Sequence, residues 1–160
     1  MMHHTNRKRH RSSYKEYAMT MHPEDRPEAY ERLAPVEQAA LIEWITLAIK
    51  PAKTIAPNTS YGIKHDFESV GFYITNGQFK GAMLTAGYVP VDPDELNWEF
   101  KIRPTGKRRE STNGAVYHVD HLTPEEREDL EALVRVAEKV RTRRYEENHR
   151  GKLRPANLSA

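Results

Sequence analysis

Two imidazoles and a carboxylate fall within four consecutive residues of this chain, at His118, Asp120 and His121. They are its nearest approach to a metal-binding or acid–base constellation. A metal ion needs three or four converging donors, and a spacing such as H-E-x-x-H supplies them by placing two imidazoles one helical turn apart. That spacing is missing, so the cluster reads as a strand end leading into a capped helix, and no metal or other cofactor is expected. His65 and Asp66 are adjacent in a helical stretch, where neighbouring side chains point apart. Cysteine is absent from the 160 residues, which removes disulfides, thiolate nucleophiles and thiolate metal sites. Thr105-Gly106-Lys107 lacks the earlier glycine and the following helix of a phosphate-binding loop. Nothing resembles the strand–turn–helix setting of an activated serine. No enzymatic activity is expected.

The remaining chemistry is charge. Lysine and arginine total 25 against 23 acids, a formal net charge of +2, but the distribution is uneven. Residues 1–15 carry five cations and no acid, and residues 101–109 carry five more and no acid. Residues 139–154 carry seven cations against Glu146 and Glu147, whereas residues 16–100 hold thirteen acids and six cations. Clusters of this kind face a polyanion or serve as solvated tails. The organisation expected is a basic disordered arm over 1–25, one domain over 26–148, and a basic disordered tail over 149–160. No apolar run approaches the 18 residues of a membrane span, and no apolar segment follows the basic start as in a secretory signal. A cytoplasmic location and no membrane partner are expected.

The elements that must hold these groups are readable from period and punctuation. A helical region begins near Pro27 and restarts at Pro35, which suits a first-turn position. Val36 to Lys50 places Leu41, Trp44, Ile45, Ala48 and Ile49 on one stripe, and Pro51 opens a linker over 51–58. Ser60 or Thr59 caps a helix with Ile63, Phe67 and Val70 inward, and Gly71 follows as a left-handed terminator. Thr75 and Gln78 have capping-box spacing and open a second short helix that buries Phe79, Ala82, Met83 and Ala86 and stops at Gly87. Trp98, Phe100 and Ile102 then alternate with Glu99, Lys101 and Arg103, the period of a half-buried strand. Ala115–Val119 reads as its hairpin partner across a polar tip of eleven residues, 104–114. Thr123-Pro124-Glu125-Glu126 starts a long last helix with Leu130, Leu133, Val134, Ala137 and Val140 on one face. The fold class expected is α+β and mostly helical, with one β-hairpin, a long C-terminal helix and basic flanks.

The order of helix, linker, paired short helices and hairpin over about 35–120 resembles a winged helix-turn-helix domain, carried by Ser60 to Gly71, Thr75 to Gly87 and Trp98 to Val119. The stretches SYGIKHDFESVG and FYITNGQFKGAMLTAGY are also similar to a core of small proteins from bacteriophages and other bacterial mobile elements. The first resemblance implies a second helix lying in a major groove, with Asn76, Gln78, Lys80, Gly81 and Thr85 outward and the glycines Gly77 and Gly81 admitting a close backbone. It implies wing contacts from Lys107, Arg108 and Arg109, and backbone contacts from Arg7, Lys8, Arg9 and Arg11 at one end and Arg143 and Arg144 at the other. The function expected is non-enzymatic binding of duplex DNA or RNA, with a regulatory role. The alternative is an accessory protein of phage or mobile-element type that binds and inhibits a host protein or ribonucleoprotein, in a bacterial or phage-infected cell. The second helix carries a single lysine and lies in the acidic part of the chain, so the cations of a nucleic-acid contact would come from wing and tails.

Overall fold

The computed structural model describes residues 21–152. Its architecture is mixed α+β and mainly helical, with two small antiparallel sheets and a long C-terminal helix. Helix α1 (Pro35–Ala48) starts with proline in its first turn, and Glu37 Oε1 accepts the Ala34 N–H at 3.1 Å. It buries Ala40, Leu41, Trp44, Ile45 and Ala48 completely. The chain then turns directly into strand β1 (Ile49–Pro51), so the helix ends two residues before the expected Lys50.

Helices α2 (Ser60–Glu68) and α3 (Asn76–Thr85) pack together as a short pair. Phe67 of α2 sits edge-on to Trp44 at 5.7 Å and to Phe72 at 5.2 Å. The Thr75–Gln78 capping box is formed in both directions, at 3.1 and 2.9 Å. Gly87, with φ +95°, ends the next turn as expected. Gly71 does not take the left-handed conformation expected of it. Glycine is needed there because a Cβ would lie 2.6 Å from the Phe67 ring. Val70, expected inward, is exposed.

The strand pairing corrects the sequence expectation. Strand β2 (Ile102–Pro104) pairs with β1, not with Ala115–Val119, in the register Ile49↔Pro104, Lys50↔Arg103 and Pro51↔Ile102. The former linker follows the same strand further, through Ala52 N–H to Lys101 O at 3.0 Å, Ala56 N–H to Phe100 O at 2.9 Å and Ser60 N–H to Trp98 O at 2.7 Å. The hairpin is a separate, tighter object made of β3 (Arg109–Ser111) and β4 (Gly114–Val116). Its turn is Thr112-Asn113, and Gly114 adopts φ +112°. Alternation of period two fixes which face of a strand is buried, but it does not name the partner.

Residues 21–33 form two 3-10 turns (Pro23–Asp25 and Pro27–Arg32) laid across α3. Residues 21–25 therefore belong to the folded unit, which corrects that end of the arm expected over 1–25; residues 1–20 and 153–160 lie outside the described residues. Helix α4 (Pro124–His149) begins at the expected Thr123–Glu126 capping box and buries Leu130, Val134 and Ala137 against the core.

Lys80 is fully buried in this arrangement. Its ammonium donates to Asp25 O at 2.8 Å and lies 5.0 Å over the Trp98 ring. Burial brings its pKa from 10.5 down to about 8, with Asp25 and Glu28 pulling the other way. The unfolded chain therefore holds the proton more tightly than the folded one, so the penalty is full below pH 8 and fades as the pH rises from 8 to 10.5. Its size is ~3 kcal/mol, and the bond to Asp25 gives back about 1 kcal/mol. Lys80→Met should be more stable than the parent chain by about 2 kcal/mol at pH 7 in urea unfolding, and the gain should vanish near pH 10.5. An equal difference at both pH values would show that the buried ammonium is not the cause.

Candidate nucleic-acid interface

The residues expected to read bases do not form a surface. Asn76 is buried, accepting from Ser60 Oγ at 2.8 Å and donating to Leu96 O and Asn97 Oδ1 at 3.1 and 3.0 Å. Lys80 is enclosed as described. Gly77 and Gly81 do admit a close backbone, but it is the chain's own: a Cβ on Gly77 would lie 2.1 Å from Arg26 O, and one on Gly81 2.3 Å from Pro27 O. Gln78 is half-buried and serves its cap. Only Thr85 of the expected outward set is exposed. The expectation of an outward-facing second helix is corrected for Asn76, Lys80 and Gly81: Ser60 and residues 96–97 enclose Asn76, and residues 21–33 cover Lys80 and Gly81.

The cations are distributed differently as well. Lys107, Arg108 and Arg109 are exposed. Two of them are engaged internally: Arg108 pairs with Glu110 at 3.1 Å, and Arg109 with Asp120 Oδ2. Arg144 is exposed but ion-paired with Glu37, which Arg141 also holds at 2.7 Å. Arg144 is thus part of the fold, because positions 137, 141 and 144 continue the inward stripe of α4. Arg143 points away from that stripe and is exposed. Arg7, Lys8, Arg9 and Arg11 lie outside the described residues.

The cations that sequence reasoning left out of the site are on the β1–β2 ribbon. Ile102 and Pro104 face the core, so Lys101 and Arg103 face out, together with Glu99. Lys50 stands directly opposite Arg103 in the ladder, and Lys53 follows on the exposed stretch after β1. Like charges directly opposite in an antiparallel pair are destabilising. Among the described residues no carboxylate lies within ion-pair distance of Lys50, Lys53, Lys101 or Arg103. Alternation at Lys101 and Arg103 was visible in the sequence. The partner strand that brings Lys50 to them was not.

From the end of β2 the chain passes the histidine cluster on its way to the hairpin. Thr105 N–H donates to Ala48 O at 3.0 Å, and Thr105 Oγ1 donates to Leu47 O at 2.5 Å. His121 Nε2 then meets Thr105 Oγ1 at 2.9 Å, and His118 Nε2 meets Lys107 O at 3.0 Å. His118 Nδ1 faces Asp120 Oδ1, and the two imidazoles stand edge to face at 5.3 Å. Partial desolvation holds His121 below its ordinary pKa, and His118, Lys50 and Arg109 act in the same direction against Glu126. The neighbourhood of β1 and the loop 105–109 is therefore electropositive. His65 does not join this group; its Nδ1 contacts Glu68 Oε2 at 2.8 Å. Asp66 ties α2 to the hairpin by accepting the Tyr117 N–H at 3.0 Å, and burial raises its pKa against that bond and the two nearby histidines.

Comparison of the chain with protein-family models, curated proteins and solved structures finds no match in any of the three. Among the described residues no helix is long and apolar enough to cross a membrane.

Proposed function

We propose that this chain is a non-enzymatic nucleic-acid-binding protein whose contact surface is the β1–β2 ribbon and the adjoining basic loop, with the flanking cations adding to it and α3 playing no part in reading bases. The observation that carries this reading is the cross-strand pair Lys50↔Arg103, flanked by Lys101 and Lys53. A repulsive pair without a local carboxylate is relieved when a phosphate lies between its members. Such contacts position a backbone and carry little sequence information, so binding should be tolerant of sequence.

The test is affinity for duplex DNA and duplex RNA over a salt series. With about four phosphates neutralised on DNA, the slope of log K against log salt should be near −3.5. Lys50→Glu with Arg103→Glu should lower affinity at low salt at least tenfold and flatten the slope, on any sequence. A flat salt dependence in the parent chain, or an unchanged slope in the double variant, would exclude the ribbon as the contact surface.

A second reading, docking on a host protein, is favoured by the apolar loop after α3. Val89 is 78% exposed, and Val91 and Leu84, the latter at the end of α3, are exposed beside it. Under that reading Val89→Asp abolishes capture of the partner in nuclease-treated extract, and the ribbon variant does not.

A further inference from the structure

We propose that His118, Asp120 and His121 bind one divalent transition-metal ion of the zinc, cobalt or nickel type. The inference is independent of nucleic-acid binding. One donor atom from each residue lies within 4.8 Å of the others. The missing helical spacing, which argued against a metal in the sequence, is supplied by the fold, which turns residues 118–121 back on themselves at the base of the hairpin.

The hydrogen bonds around the cluster fix which atoms are available. Lys107 O can only accept, so His118 Nε2–H donates to it, and Nδ1 is the ring nitrogen that faces Asp120 Oδ1, where an ion would replace the proton that Nδ1–H shares with that carboxylate. Thr105 Oγ1 gives its hydrogen to Leu47 O. It therefore accepts from His121 Nε2–H, which leaves the lone pair on His121 Nδ1. Asp120 uses Oδ2 for Arg109 and keeps Oδ1 toward His118. Each of the three donors thus has its other polar atom held by a carbonyl, a locked hydroxyl or a guanidinium. This is the outer support that orients imidazole and carboxylate ligands in metal sites. Gly106 completes the cradle. A Cβ there would stand 2.5 Å from His121 Nδ1 and 3.0 Å from His118 Cε1, so any larger residue would fill the space into which His121 Nδ1 opens.

The donor set selects the ion. Two neutral imidazoles and one carboxylate suit zinc, cobalt or nickel, whereas magnesium and calcium prefer an all-oxygen shell. Asp120 and His121 are exposed, so water completes the coordination. Lys50 and Arg109 oppose a cation here, and the negative charge of Asp120 offsets only part of that. All three ligands come from one short segment, and their supports come from Thr105, Lys107 and Arg109. A bound ion therefore tethers the basic loop to the start of α4.

The test is titration of the full chain with Co²⁺, read by its visible absorption and by broadening of backbone resonances. The chain holds eight histidines, so the difference between variants is the measurement. The parent chain should bind one equivalent that broadens residues 105–109 and 118–121. His121→Ala, at an exposed position that should leave folding intact, should lose that equivalent or weaken it at least tenfold. Thr105→Val, which removes the support of His121 together with the bond to Leu47 O, should weaken it about 10- to 100-fold. His65→Ala should change nothing. If His121→Ala and the parent bind the same number of equivalents, with broadening at other histidines, the ion is adventitious and the site does not exist.

Discussion

Glu37→Ala should lower the stability of this protein by about 3–5 kcal/mol, the cost of removing one partner from a buried ion pair. Glu37 is fully buried in the first turn of α1. One carboxylate oxygen accepts the Ala34 N–H and meets Arg144, and the other meets Arg141 at 2.7 Å. Alanine leaves an uncapped N–H and two arginines without their counter-charge. Arg141 also lies 4.9 Å over the Phe72 ring, so it cannot swing fully into water without giving up that contact. Arg144 is exposed and rehydrates easily, which places the loss toward the lower end of the range. Glu37→Gln keeps the volume and one acceptor for Ala34, and should cost less. Urea unfolding measures both, and amide exchange should accelerate first in residues 138–149, where the clamp holds α4. A loss under about 1 kcal/mol for Glu37→Ala would mean that the apolar stripe of α4 alone docks the helix.

This clamp marks the boundary of what the chain reveals when read alone. Local punctuation was legible: Pro35 opens α1, the Thr75–Gln78 and Thr123–Glu126 boxes open α3 and α4, and Gly87 ends its turn, all where capping chemistry places them. These signals depend on residues a few positions apart. The stripe Leu130, Val134, Ala137 was legible for the same reason. Partners distant in sequence were not. A buried Glu37 and two arginines more than a hundred residues later look like surface charges until α1 and α4 meet. Trp98–Ile102 announces a strand, but Ile49 and Lys50 of its partner continue the helical stripe of Val36–Lys50, and the residues after them read as linker because Pro51 and Pro57 punctuate them. The basic ribbon is invisible without that pairing, because Lys50 stands alone in an acidic region. Asn76, Gln78, Lys80, Gly81 and Thr85 read as an outward face. The i, i+4 pair of glycines was the one local sign that a backbone crosses them, and it did not say whose.

That crossing gives the second large effect. Gly77→Ala should cost about 3 kcal/mol or more, at the upper end for an overpacked site, although alanine in a helix interior otherwise gains about 1 kcal/mol over glycine. The added Cβ would meet Arg26 O at 2.1 Å and Glu24 O at 2.6 Å. Both are backbone oxygens, which no rotamer change can move aside. Either α3 or residues 23–33 must retreat, and the Lys80 bond to Asp25 O is lost with them. Thermal unfolding should fall by several degrees, and proteolysis should open the chain within 21–33 before any cut in α1. The same variant separates the two ways this fold could hold nucleic acid. If the ribbon makes the contact, Gly77→Ala at a temperature where it remains folded should bind duplex DNA with the salt slope of the parent chain, because Lys50, Lys101 and Arg103 are untouched. If α3 were the reading element, lifting residues 21–33 would expose Lys80 and the Gly77–Gly81 backbone, and affinity would rise. A rise of tenfold or more would transfer the interface from the ribbon to the helix.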